Sequence, residues 1–394
     1  MLRLVLRLAR GEADFLHNGY QFYLAIATHF LHGDGLCLAS GTACAVRMPV
    51  YPLVISAFVA AGSVYPGLVI AQSACGAALA WIAWKIGLTL FDRPPARLAA
   101  CMAAASPYAV VHDTALQETV FANALVALAV LLLLEARRLG RWSASLGAGG
   151  VLALAALTTA RLALVVPGAL GWCALAGGST WQARWRTAVL VALPVLLGIG
   201  GWTFRNWQRV GAPVLTTEAG ESLWIGNNDQ TFSDFPSRSI DLSAQEAYDR
   251  LGEAERSELD RLEGRDVERD RLLARWGRQY MAAHPFETAQ NGLRKLWVAV
   301  SGQLSPARGP VTEVGYALVY APVHLLAAVG LWRSRSGWHT HSLLYLVFLA
   351  FAITTAVFWA HTSQKNYLDV FLFVYAASVL ARHSHAANGS VRYP

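Results

Sequence analysis

The sequence predicts an all-α fold: a polytopic membrane helix bundle of about nine to ten transmembrane spans with an extracytoplasmic loop domain. Three observations predict it. Of 394 residues, 55% are hydrophobic and only 14% charged, against about 25% charged in a typical soluble domain. Uncharged stretches such as Thr187–Phe204 and Ser342–Ala360 reach the roughly 18 residues that cross a bilayer. The arginines gather in short loops between such stretches, on every second loop along the chain.

The opening MLRLVLRLAR is basic and apolar, lacks a small-residue cleavage site and is too short to span. Residues 12–66 then form a first outside loop. Within it Tyr20–Leu31 is apolar but short and suits a helix lying on the membrane surface. Pro49–Ala61, at 13 residues, suits an interfacial or re-entrant helix rather than a span. Spans follow near residues 67–86, 95–110, 116–135, 145–158, 161–178 and 187–204. Residues 205–310 are the only large hydrophilic stretch, and Ser243–Gln279 within it reads as a solvated helix with pairs such as Glu268–Arg271. Three more spans lie near 311–332, 342–360 and 366–381. The chain thus divides into residues 1–204, 205–310 and 311–394.

Counting lysine and arginine orients these spans. One set of loops is basic: Lys85 to Arg97, Arg137 to Arg141, Arg184 and Arg186, Arg333 and Arg335, and the tail after Arg382. The other holds Asp113 to Glu118, Thr158 to Arg161, residues 205–310 and His361 to Asn366. Placing the first set in the cytoplasm satisfies the positive-inside rule, so the net charge of +7 belongs to topology and points to no nucleic acid. Five cysteines show no metal-ligand spacing. Cys37 and Cys44 share one outside loop, where a disulfide and two free thiols are both open readings.

Ionisable residues at span depth are costly and mark function. Here they meet at the outside ends: Asp113, Glu118, Arg161, Arg205, His361 and Lys365, with Asp14 and Asn18 in the first loop. An acid and several cations on an outer membrane surface suit transfer of a sugar from a polyprenyl phosphate. A carboxylate orients and deprotonates the acceptor, and cations hold the departing phosphate. No glycine loop that would cradle a nucleotide is present.

A series of motifs extends this reading over about Tyr20 to Ala381. In order they are YLAIA (Tyr23–Ala27), RMPVYPLVISAF (Arg47–Phe58), HDTALQETVFANALVALAVLLL (His112–Leu133) and LTTARLALVVP (Leu157–Pro167), then GWTFRNWQRVGAPVLTTEAGESLWIGNN (Gly201–Asn228), AAHPFE (Ala282–Glu287) and FWAHTSQKNYLDVFL (Phe358–Leu372). The series resembles the bacterial membrane glycosyltransferases of family 39, the protein mannosyltransferase-like group with the GT-C fold. The resemblance implies an inverting hexosyl- or pentosyltransferase of the bacterial inner membrane with its active face outside. Its partners would be a polyprenyl-phosphate-linked sugar, an acceptor glycan, lipid or protein, and membrane lipids, with no cofactor predicted and no metal named.

Carried over residue by residue, the resemblance makes Glu118 and Asp14 the catalytic candidates. Arg161, Arg205, His361 and Lys365 become the donor-phosphate clamp, and Asn18, Tyr23, Arg47, Asp113, Asn206, Asn227 and Asn228 line the loops for donor and acceptor. Three departures stand out. The family places an aspartate four residues before the loop tyrosine, where this chain has Gly19, so Asp14 serves only by a shifted register. Family members begin with a full span before this loop, and here MLRLVLRLAR stands in that place, which implies a truncated or misassigned start. The last outside loop keeps His361 and offers Lys365, but lacks the family's proline. A non-catalytic scaffold of the same fold and a lipid or solute transporter are the alternative readings. A transporter predicts inverted repeats and helices broken at mid-membrane, and the sequence shows neither.

Overall fold

A computed structural model describes residues 1–17 and 19–387. Asn18 and the end of the basic tail, residues 388–394, lie outside the described residues. Among these residues the only extended pairing is one isolated bridge between Ala39 and Thr42, and helices make up nearly everything else.

The first helix, α1 (Leu2–Leu16), bends at Gly11 and turns the usual amphipathic pattern inside out. Arg3 and Arg7 are buried, while Leu2, Val5 and Leu8 are exposed. Outward leucines suit hydrocarbon, and the inward arginines find acids: Arg3 Nε lies 2.8 Å from Asp113 and Arg7 Nη1 2.6 Å from Asp14. Two short helices follow, α2 (Phe22–Leu31) and α3 (Val50–Ala60), of 10 and 11 residues. At 1.5 Å per residue neither crosses a bilayer, in keeping with the two short apolar segments expected in the first loop.

Helices α4 (Val64–Leu90), α7 (Thr119–Leu139), α10 (Trp181–Val210) and the run Pro310–Val357 are long and apolar enough to cross a membrane. That last run comprises α16 (Pro310–Arg333) and α17 (Trp338–Val357) around a tight turn at Ser334–Gly337. Of the most apolar 18 residues of α7, 67% are buried, whereas only 28% of those of α10 are, so α10 presents its flank outward. Between them packs α8 (Trp142–Thr158). A Cβ on Gly149 would fall 2.3 Å from the Val191 carbonyl, so α8 and α10 meet backbone to backbone.

Three expectations are corrected. The span expected near 95–110 is two pieces, α5 (Arg93–Ala105) and α6 (Pro107–His112). Ser106 precedes a proline and takes ψ 113°, the extended conformation a pre-proline residue prefers. The segment expected to span from 161 begins as a tight helical turn, Ala160–Leu164, before α9 (Val165–Ala176). The single solvated helix over Ser243–Gln279 is three: α12 (Ile240–Asp249), α13 (Glu253–Asp260) and α14 (Asp266–Ala283). Gly252 and Gly264, the latter at φ +74°, are the breaks. Its charges pair across helices, as in Arg275–Glu258 at 2.6 Å.

The hydrophilic segment is completed by α11 (Ala219–Ile225) and α15 (Pro285–Val300). Lys295 fastens it to the bundle, with Nζ donating to the carbonyls of Gly226 at 2.6 Å and Ala356 at 3.3 Å. After α17 come α18 (Thr362–Lys365) and α19 (Asp369–Ala387).

Sidedness is open to direct measurement. With the native free thiols removed, cysteines replacing Gln230 and Asp260 are expected to react with an impermeant reagent from outside the cell, and those replacing Leu139 and Arg335 are not. Labelling of the reverse pair would invert the topology read from the arginine loops.

Candidate functional site

Glu118 stands at the N-terminal end of α7, its backbone carbonyl accepting from Ala122 N in the first helical turn. Its side chain is almost entirely buried. Tyr23 of α2 donates its hydroxyl to Oε2 at 2.9 Å, and Arg161 Nη2 lies 3.5 Å from Oε1. Burying a carboxylate is costly unless it is paired and hydrogen-bonded, and here both requirements are met from segments 95 and 43 residues away.

The tyrosine is held in turn. Its ring packs edge-on against Tyr51 of α3 at 4.9 Å, and Tyr51 packs against Phe121 of α7 at 5.7 Å. Burial and the neighbouring Glu118 carboxylate push the Tyr23 hydroxyl well above its ordinary range, so it stays a neutral donor. Arg161 is steadied by Thr159, whose hydroxyl accepts from Nε at 3.1 Å. Tyr20, half-buried, feels both Glu118 and Arg161 and bonds to Gln117.

Arg47 closes another side. It forms an ion pair with Glu218 and lies over the Phe22 ring, 4.5 Å from its centroid. Although desolvation opposes it, its half-buried guanidinium is held more basic than usual, first by Glu218 and then by Glu118. Sequence reasoning missed Glu218. It lies inside the motif Gly201–Asn228, but its role depends on a partner 171 residues away, a distance no local pattern encodes.

His361 enters as a neutral group. Burial pushes its imidazole down to about 4, and Nε2 accepts from the Ile240 backbone N–H at 3.2 Å. The ring packs beside Trp359 and Phe235. It therefore offers a ring N–H at neutral pH and no charge, unlike the cation read from the sequence.

The remaining candidates lie apart from this cluster. Asp14 is engaged by Arg7 and Arg10 at 2.6 and 3.0 Å. Asp113 is 2% exposed; burial pushes it up to about 6 even though Arg3 pulls it down. Arg205 donates to the Cys44 carbonyl and to Asn206 Oδ1, and Asn206 Nδ2 in turn reaches the Val214 carbonyl at 2.8 Å. This stitching lies beside a loop closed by a Cys37–Cys44 disulfide, a bond that belongs in an oxidising compartment. Asn227 donates to the carbonyls of Leu223 and Val357, and Asn228 to that of Trp224. Both asparagines shape the turn after α11.

Lys365 is buried in the bundle. Nζ meets Tyr316 at 3.1 Å, His324 at 2.9 Å and Asp369 at 3.6 Å. Its charge is answered inside the protein. Removing one partner of a buried pair costs about 3–5 kcal/mol. Lys365→Ala is expected to lower the unfolding free energy in detergent by about that amount, and an unchanged melting curve would show the pair to be dispensable.

Among the described residues no three His, Cys, Asp or Glu side chains cluster to hold a metal ion. An apolar groove of about 520 Å³ opens between α9 and α10, lined by Val166, Leu170, Val195, Leu196, Ile199 and Phe204 among others.

A family model described as dolichyl-phosphate-mannose-protein mannosyltransferase matches residues 46–202, less than half of the chain. Comparison with curated proteins gives no significant match. Among solved structures, the chain is similar to the oligosaccharyltransferase AglB of Archaeoglobus fulgidus in complex with an inhibitory peptide and a dolichol-phosphate, at 14% identity and a TM-score of 0.54. That alignment covers 95% of this chain and 48% of the other. The same archaeal enzyme tethered to an acceptor peptide gives 14% identity, TM-score 0.54, and 95% and 46% coverage. Its complex with zinc and sulfate gives 12%, 0.55, and 98% and 49%. The chain thus spans about half the length of the solved structures it matches, and they share its fold: the GT-C-like helical bundle of the oligosaccharyltransferases.

Proposed function

We propose that this chain is a membrane glycosyltransferase of the family 39 type. It would move a hexose or pentose from a polyprenyl-phosphate donor to an acceptor hydroxyl or amine on the outer face of a bacterial plasma membrane. The observation that carries this reading is Glu118, held between Tyr23 and Arg161 at the end of α7.

The chemistry follows from the charges. The acceptor O–H or N–H loses its proton to Glu118 as its oxygen or nitrogen bonds to the anomeric carbon. The bond from that carbon to the phosphate oxygen breaks, and its electron pair leaves with the lipid phosphate. Attack from the face opposite the leaving group inverts the anomeric centre. Tyr23 fixes which carboxylate oxygen is free to take the proton. Arg161 carries the positive charge nearest the carboxylate and is the first candidate to meet the phosphate. Arg205 contributes through the loop it binds, and His361 through a neutral N–H. The groove between α9 and α10 matches a polyprenyl tail in polarity.

Family match, fold and site support this reading together. Its test is consumption of a radiolabelled polyprenyl-phosphate sugar by the purified chain in vesicles, with envelope glycan, lipid or protein offered as acceptor. Failure of every donor and acceptor pair would favour a non-catalytic member of the same fold.

A further inference from the structure

Arg47 answers to two carboxylates, Glu218 and Glu118. Its ion-pair partner is Glu218, and Glu118 also acts on it electrostatically. The pairing with Glu218 is built in from both sides. Thr217 N donates to the Ala45 carbonyl at 2.9 Å and the Thr216 hydroxyl to the Val46 carbonyl at 2.8 Å. Residues 216–218 are thereby laced to residues 45–47. The guanidinium Nε is buried without a hydrogen-bond partner, so the arginine is not saturated where it stands. Only one Glu218 carboxylate oxygen is taken up by it.

From this geometry we propose that Glu218 is a positioning residue that holds the charge of Arg47 away from Glu118, leaving Glu118 able to take the acceptor's proton. The proposal rests on the transfer reading above and adds to it a second carboxylate and a direction of control. With Glu218 ionised, Arg47 is engaged chiefly by it, and the direct partners of Glu118 are Tyr23 and Arg161. With Glu218 neutral, Arg47 is released toward Glu118 and competes with the proton for it.

The groups facing Glu218 set where this occurs. Burial raises its carboxyl to about 7, Arg47 opposes the rise, and Glu221 of α11 and Asp270 of α14 add to it. Glu221 is itself held by Arg269 and the Tyr248 hydroxyl. Rates are therefore expected to be full above about pH 7 and to fall as Glu218 takes up its proton below it.

Glu218→Gln imitates the protonated state. Its kcat at pH 8 is expected to fall roughly 10- to 100-fold, within the range that general-base help supplies. The acid limb near pH 7 should disappear, KM for the donor should change little, and Glu218→Asp should restore most of the rate. A normal kcat, or a loss that keeps the wild-type pH profile, overturns the proposal without touching the transfer reading. A second measurement needs no turnover. The infrared carboxyl band that is absent from Glu218→Gln reports Glu218, and its midpoint is expected to fall in Glu118→Gln, because Arg47 then serves Glu218 alone. A midpoint unmoved by Glu118→Gln disproves the shared arginine whether or not the protein transfers sugar.

Discussion

Glu118→Gln is expected to abolish transfer. The substitution keeps the shape of the side chain and its hydrogen bond from Tyr23, but removes the ability to take a proton. General-base catalysis is worth about 10² to 10⁴ in rate, and Glu118 is the carboxylate paired with Tyr23 and Arg161. Asp14 is bound to Arg7 and Arg10, and Asp113 is sealed against Arg3. Asp14→Asn is accordingly expected to leave transfer within a few-fold of normal. Release of polyprenyl phosphate from a labelled donor separates the two variants. Full activity in Glu118→Gln would remove the centre of the proposed site.

Arg161→Ala should produce the second largest loss. A charge-assisted hydrogen bond contributes about 1.5–3 kcal/mol, which is roughly 10- to 150-fold in rate or affinity. Arg161 is 24% exposed at the side chain, against 4% for Lys365, so it can meet both Glu118 and an incoming phosphate. The deficit is expected mainly in kcat/KM for the donor, and Arg161→Lys should recover only part of it because a point charge lacks the guanidinium fork. Equal donor use by wild type and Arg161→Ala would require another cation to hold the phosphate.

Much of the bundle was legible because hydrocarbon imposes its own code. Charge-free runs and alternating basic loops do not depend on which helix touches which. The span expected near 95–110 was read straight through Pro107, whose effect on Ser106 accounts for the break between α5 and α6. The site was legible only in part. Glu118 and Arg161 stand out as ionisable groups at the ends of apolar runs, and the structure brings them together. The partners of Arg205, Asn206, Asn227 and Asn228 are largely backbone carbonyls, which no residue pattern reveals. Lys365 and His361 read as cations until burial is known. Glu218 escaped notice because a lone glutamate in a polar segment is ordinary until an arginine from the first loop reaches it.

The lacing of residues 216–218 onto residues 45–47 also sets an order of events during synthesis. Tyr23, Glu118 and Arg161 are all in place once α9 has been made, whereas Arg47 waits for a partner 171 residues downstream. His361 arrives later still. Contacts between such distant residues form only after the loop-closure entropy of the intervening chain has been overcome. A nascent or proteolysed product ending near residue 204 would therefore carry the carboxylate with its tyrosine but leave Arg47 without its counter-charge. The growing polypeptide would hold an incomplete site until the hydrophilic segment had been made and folded back onto the first loop.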